Sequence, residues 1–330
     1  MLVLFGTSAL AVTPVEVAPV SAETLAVVIN DDDPHSVEVG AYYRSVRKIP
    51  DTNVVHVHIP NNPRVLSADE FKKLKSVIDQ QLAPSVQALL LVWTAPYAVS
   101  CNSITSALSV GFDASLCENT CAAAKPGPYY NANTARPFTD LAIRPSMLLP
   151  TDSVAQAKAL IDRGIQSEFR EVSASAWFLT TSDHARNSRS QFFPPAGVIA
   201  KKKLTVFNVK KDSISNVEDV MFYQTGLPQV TQLDTLKFRP GALADHLTSS
   251  GGDLLGSAQM SSLKWLEAGA TASYGTVSEP CNYWQKFPNP AVLTRRYLMG
   301  DSAIEAYWKS VAWPAQGVFI GEPLARPYRK

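Results

Sequence analysis

Apolar residues fall along this chain in two periods. Near-continuous apolar runs at 24–30 (TLAVVIN), 86–93 (VQALLLVW) and 175–181 (SAWFLTT) predict strands buried on both faces, the habit of a parallel sheet. Apolar positions at helical spacing predict helices over 37–47, 67–82 and 151–165. Ser36 is the expected cap of the first helix. Ser67 with Glu70 three residues on forms a capping box for the second. The segment 53–59 (NVVHVHI) alternates instead, which predicts a strand with His56 and His58 on one face. Strand and helix thus alternate through the first ninety or so residues, as in a doubly wound α/β fold.

The same grammar returns after residue 174. Strands are expected at 204–209, 217–223, 243–247, 270–277 and 318–320, and helices at 261–268, 290–298 and 303–311. Gly269 fits a helix C-cap, and Asp301, after Gly300, a helix start. The stretch 241–281 reads as strand, polar turn (Thr248-Ser249-Ser250-Gly251-Gly252), helix, strand and polar turn (Ser278-Glu279-Pro280-Cys281). Two strands joined through a helix make a crossover, and crossovers build parallel sheets. The expected fold class is a three-layer α/β/α sandwich with a mostly parallel sheet. Ligands in such folds bind at the carboxyl ends of the strands.

Between 94 and 150 the alternation breaks. The segment is rich in Asn, Pro, Gly and Ser and holds Cys101, Cys117 and Cys121. It is read as a disulfide-stapled insertion covering one edge of the sheet, within one α/β domain over 23–330.

Composition changes this picture little. Of 330 residues 46% are hydrophobic and 18% charged, and the net charge is +1, which offers no global field for nucleic acid. Residues 1–22 are expected to be a signal peptide or a disordered arm. An apolar run over 2–12 is signal-peptide length and too short to span a membrane, and Ala9-Leu10-Ala11 and Val20-Ser21-Ala22 resemble cleavage sites. Four cysteines (Cys101, Cys117, Cys121, Cys281) behind such a segment imply export to the periplasm or beyond, and disulfides. Which cysteines pair is left open by the sequence.

Candidate chemistry gathers after the strands. Asp31, Asp32 and Asp33 follow the first, as helix-capping acids or as a ligand or cation edge. Ser182 to Arg186, with His184, follow another. Asp245, His246, Thr248, Ser249 and Ser250 close the strand of the central stretch, and Glu279 lies in the last polar turn. Ser249 or Ser250 as nucleophile, with His246 or His184 as base, is the catalytic reading. Asp31, Asp32, Asp245, Thr248 and Glu279 are the ligand-binding candidates. Asp245 and His246 are neighbours in a strand and so point to opposite faces. The turn 248–252 serves either as a tight turn or as an anion cradle. No Walker or dinucleotide motif follows the first strand, whose acids would repel a pyrophosphate, so no cofactor is expected. His56 and His58 have a spacing that a metal could use. An ordinary half-buried strand is the reading taken, and no metal site is assigned. Expected partners are a small molecule or a peptide.

Two resemblances follow from particular residues. Segments 25–50 (LAVVINDDDPHSVEVGAYYRSVRKIP), 103–113 (SITSALSVGFD), 144–147, 160–164, 269–281 and 305–327 (EAYWKSVAWPAQGVFIGEPLARP) resemble a bacterial family of conserved hypothetical proteins. That resemblance implies bacterial distribution and export, and little chemistry. The order strand, Ser-Gly-Gly turn, helix, Gly269-Ala270, strand, Glu305-Ala306 helix and Gly321-Glu322-Pro323-Leu324 resembles the end of caspase-like peptidases of gingipain and CHAT type. It implies a caspase-like fold, with a catalytic His after one strand and a catalytic Cys after the next. This sequence has Tyr223-Gln224-Thr225-Gly226 at the first place and Thr248-Ser249-Ser250 at the second, so the dyad is not carried over.

Overall fold

The chain alternates strand and helix because its buried runs cannot be covered by neighbouring strands alone; each needs a helix on either face. The computed structural model describes residues 20–168 and 173–329. Residues 1–19, the greater part of the expected leader, lie outside them.

β1 (Leu25–Asn30), α1 (Pro34–Arg47), β2 (Val54–Val57), α2 (Ala68–Gln81) and β4 (Ala88–Val92) follow the pattern read from the sequence, and a short β3 (Val65–Leu66), not expected there, precedes α2. The Ser67–Glu70 capping box is present. The cap of α1 is not Ser36. Asp33 accepts from the His35 amide at 3.0 Å, and Pro34 opens the helix, where its missing N–H costs nothing. Ser36 is buried in the first turn. Its hydroxyl accepts from Asn30 N at 2.9 Å and donates to Val92 O, tying the helix start to two strands.

The segment 94–150 is more structured than its composition suggests. It forms β5 (Ala98–Val99), β6 (Asn102–Ser103), α3 (Ile104–Val110), α4 (Ser115–Glu118), α5 (Pro137–Leu141) and β7 (Ser146–Leu148). β7 enters the main sheet beside β4, three residues that no periodicity marks. Two disulfides are formed, Cys101–Cys117 inside the segment and Cys121–Cys281 between it and the far part of the chain.

The remainder comprises α6 (Val154–Ser167), β8 (Ala174–Thr180), β9 (Gly197–Ile199), β10 (Leu204–Lys210), β11 (Val220–Thr225), β12 (Phe238–His246), α7 (Leu263–Glu267), β13 (Ala272–Thr276), α8 (Pro290–Leu298), α9 (Ala303–Ser310) and β14 (Gly317–Gly321). α7 is shorter than expected, and Gly269 beyond it sits at φ +114°. Ser302 rather than Asp301 caps α9, in a buried capping box with Glu305, and Asp301 pairs with Lys309 instead.

Eleven strands form one mostly parallel sheet in the order β2-β1-β4-β7-β14-β13-β12-β11-β8-β10-β9, while β3, β5 and β6 form a small second sheet. β14 runs antiparallel to β13 over five pairs. It starts at the carboxyl edge, where Gly317 O accepts from Ser103 and Thr105. It ends at the opposite edge, where buried Glu322 takes Tyr43 at 2.8 Å and Arg47 Nη2 at 2.7 Å. The loops after β4, β12 and β13 meet beside the start of β14. Tyr97 reaches Asp253 at 2.5 Å there, and Ser278 reaches Cys101 O at 2.7 Å.

Candidate functional site

β12 lies between β11 and β13, all three parallel, with Gln224 opposite Asp245 and Thr225 opposite His246. Strand alternation then sends the last two side chains of β12 to opposite faces, as the sequence required. Asp245 is fully buried. It pairs with Arg189, accepts from Gln224 Nε2 at 2.9 Å and meets Tyr307 Oη at 3.4 Å. Burial pushes its carboxyl above the ordinary range although the Arg189 guanidinium pulls the other way. This is an internal ion pair between sheet and loop, and no ligand reaches it without opening the core.

His246 faces the other side and is also fully buried. Trp265 Nε1 donates to its Nδ1 at 2.9 Å, so Nε2 carries the proton and donates to Met260 O at 3.0 Å. Burial lowers its pKa to about 3, because charge there has no water to solvate it. Both nitrogens are engaged, and neither is directed at Ser249 or Ser250.

Beyond the strand the chain turns through Thr248 to Gly252. The Thr248 hydroxyl donates to Gln259 Oε1 at 2.7 Å, and Ser250 adds its amide at 2.9 Å and its hydroxyl at 3.1 Å to the same oxygen. Arg186 Nε donates to Thr248 Oγ1 at 3.3 Å, and Asp183 holds that guanidinium at 2.6 Å. Thr276 Oγ1 donates to the carbonyls of Thr248 (3.1 Å) and Ser249 (3.0 Å). Gly252 N donates to Thr276 O at 2.9 Å. A Cβ on Gly275 would lie 2.4 Å from the Gly251 carbonyl carbon, so turn and strand meet backbone to backbone. Of the two readings of this segment, the tight turn describes it. The amides of Ser250 and Gly252 are spent inside the protein.

The structure scatters the other candidates. Ser249 is half-buried beside this network. His184 is exposed, at the start of the short turn that also carries Asp183 and Arg186. That turn packs its backbone on the end of β11: a Cβ on Gly226 would sit 2.1 Å from Arg186 O. Glu279 is exposed and accepts from Cys281 N at 2.7 Å, bracing its own turn. Asp31 and Asp32 lie at the end of β1, five strands along the sheet from β12, paired with His56 and His58. All four cysteines are in disulfides.

Sequence reading missed Gln259 and Arg189. Neither sits in a periodic or motif-bearing context, so no local signal marks them. It also passed over Asp152. The amides of Thr151 and Asp152 donate to Thr94 Oγ1 at 2.9 and 3.1 Å, and burial raises the Asp152 carboxyl. Asp152 borders a cleft of about 880 Å³ with Gln229, Leu254, Gln259 and Lys264. Gln259 therefore belongs both to the turn network and to the cleft wall.

Sheet, helical layers and disulfides together define an α/β protein of three-layer type. No family model matches the chain, and neither does any curated protein. It is similar to solved structures of proteases at low identity. One, described as a protease structure, shares 12% identity at a TM-score of 0.49, covering 93% of this chain and 79% of that one. The Arg-specific cysteine proteinase gingipain R (RgpB) shares 9% at 0.48, with 94% and 80% covered. The complex of the Porphyromonas gingivalis RgpB pro- and mature domains shares 9% at 0.42, with 92% and 79% covered.

Proposed function

We propose that this protein binds a small molecule or peptide at the carboxyl edge of β11, β12 and β13, outside the cytoplasm and without peptidase chemistry. One observation carries the reading: the hydroxyls of Thr248 and Ser250 both donate to Gln259 Oε1, while the buried imidazole of β12 has both nitrogens engaged elsewhere. A serine nucleophile needs a base that will take its proton. His246, with a pKa near 3, takes almost none at neutral pH. Among the described residues no serine of this edge is hydrogen-bonded to a histidine. The ends of β11 and β12, where the caspase-like resemblance would put a dyad, hold Gly226 and Thr248 to Ser250. The adjoining cleft has the volume of a ligand site and a few fixed polar groups to orient an occupant. Two disulfides support the extracytoplasmic setting, and no helix among the described residues is long and apolar enough to cross a membrane.

A second reading, hydrolysis by Ser249 or Ser250 with His184, rests on one feature. The exposed turn bearing His184 reaches the Thr248 network through Arg186. A fluorophosphonate probe separates the two. The expected result is no active-site labelling. Labelling of the wild type that disappears in Ser249→Ala or Ser250→Ala overturns the binding-only reading and establishes the hydrolase.

A further inference from the structure

At the far end of the sheet from the cleft, β2 forms the edge and β1 its neighbour. Six strand intervals separate β2 from β12, about 29 Å at the usual spacing. At the carboxyl end of this pair, His56 Nδ1 lies 2.7 Å from Asp31 Oδ1 and His58 Nδ1 lies 2.9 Å from Asp32 Oδ1. The two imidazoles are two residues apart along an extended segment, so they stand on one face about 6.6 Å apart at their backbones. Both are exposed, with 55% and 73% of their side chains open to water.

A carboxylate only accepts hydrogen bonds, so each neutral imidazole carries its proton on Nδ1 and presents the Nε2 lone pair outward. This is the arrangement by which metal-binding histidines are oriented and made more basic. The frame around it is fixed. Gln81 clamps the β2 backbone at His56, donating to His56 O at 3.0 Å and accepting from His56 N at 3.2 Å. Asn30, fully buried, accepts from Ile59 N at 2.9 Å and Asp32 N at 3.2 Å and donates to Ile59 O at 3.1 Å. One side chain therefore sets the chain after His58 against the loop that carries Asp32. Asp33 adds a third negative charge to the same loop.

We propose that His56 and His58 bind a borderline divalent transition-metal ion, Zn2+ or Cu2+, through their Nε2 atoms, with Asp31 and Asp32 orienting the rings. Among the described residues no three or more His, Cys, Asp or Glu side chains are grouped to hold a metal ion, so the two imidazoles are its only protein ligands, water fills the remaining positions and the ion is exchangeable. Imidazole nitrogen suits Zn2+ and Cu2+, whereas Ca2+ and Mg2+ take oxygen ligands.

The test is isothermal titration of metal-stripped, untagged protein with ZnCl2 and, separately, CuSO4. The expected result is one saturable equivalent. Binding should be lost in the double variant His56→Ala/His58→Ala and weakened about 10- to 100-fold in Asp31→Asn/Asp32→Asn. His184→Ala should bind like the wild type. Circular dichroism of each variant checks that it folds. No saturable binding at millimolar metal overturns the proposal, and so does unchanged binding in the double histidine variant. Mg2+ or Ca2+ binding that survives loss of both histidines would assign the ion to the carboxylates and overturn it equally.

Discussion

Replacing Arg189 by Met removes a charge while keeping much of the side chain's length. Arg189 and Asp245 are 2% and 1% exposed, so the pair is internal. The guanidinium also donates to the carbonyls of Thr225 at 2.8 Å, Asp245 at 3.3 Å and Pro288 at 3.3 Å. It thereby joins β11, β12 and the approach to α8. Breaking such a pair from one side leaves an uncompensated buried charge, which costs about 3–5 kcal/mol. Asp245 keeps Gln224 as a donor, so we expect about 3 kcal/mol at pH 7. The sign with pH follows from the shift. Burial already raises the Asp245 carboxyl, and loss of Arg189 removes an opposing influence and raises it further. The folded variant then holds its Asp245 proton more tightly than the unfolded chain does. A carboxyl raised on folding contributes stability below its unfolded pKa, and that contribution is lost as pH rises. The deficit of Arg189→Met should therefore narrow from pH 7 to pH 5. Urea unfolding followed by tryptophan fluorescence measures it. The double variant Arg189→Met/Asp245→Asn should recover most of the loss, because an amide carries no charge. A deficit below about 1 kcal/mol at pH 7, an equal deficit at both pH values, or no recovery in the double variant refutes the reasoning.

His246 makes the opposite pH prediction. Its folded pKa is near 3, below the unfolded value of about 6.5, so its contribution is complete above pH 6.5 and lost as pH falls toward 3. The window of about 3.5 units sets a ceiling of about 5 kcal/mol, and His246→Gln should show a shallower fall of stability with acid. Identical pH slopes for the two proteins would contradict it. The two disulfides should differ in weight, since the bridges close sequence separations of 16 and 160 residues. Loop-closure entropy gives about 3 and about 5 kcal/mol, so Cys121→Ser/Cys281→Ser should lose more in urea unfolding than Cys101→Ser/Cys117→Ser. Mass analysis of native material should find no free thiol, and four free thiols would reject both bridges.

The elements were legible wherever one local rule decided them. Buried runs such as 24–30 and 86–93 are strands because only a sheet covered on both faces buries every position. The Ser67–Glu70 box starts α2 because its partners are three residues apart. Caps failed where the neighbours were distant. Ser36 has cap chemistry, yet Val92 O and Asn30 N, from two strands, took its hydroxyl.

The candidate site divides the same way. That Asp245 and His246 face apart was fixed by strand alternation. That both are held by partners inside the protein was decided by Arg189, Gln224 and Tyr307 on one face and by Trp265 and Met260 on the other. None of those five is a local neighbour of the pair. Sequence alone thus determined the α/β alternation and the polar ends of the strands. Only the tertiary structure decided which polar groups are spent inside the protein and which are left at its surface. The reason is physical: a side chain's protonation and availability depend on water and on partners within a few ångströms, and sheet order brings those partners from tens or hundreds of residues away.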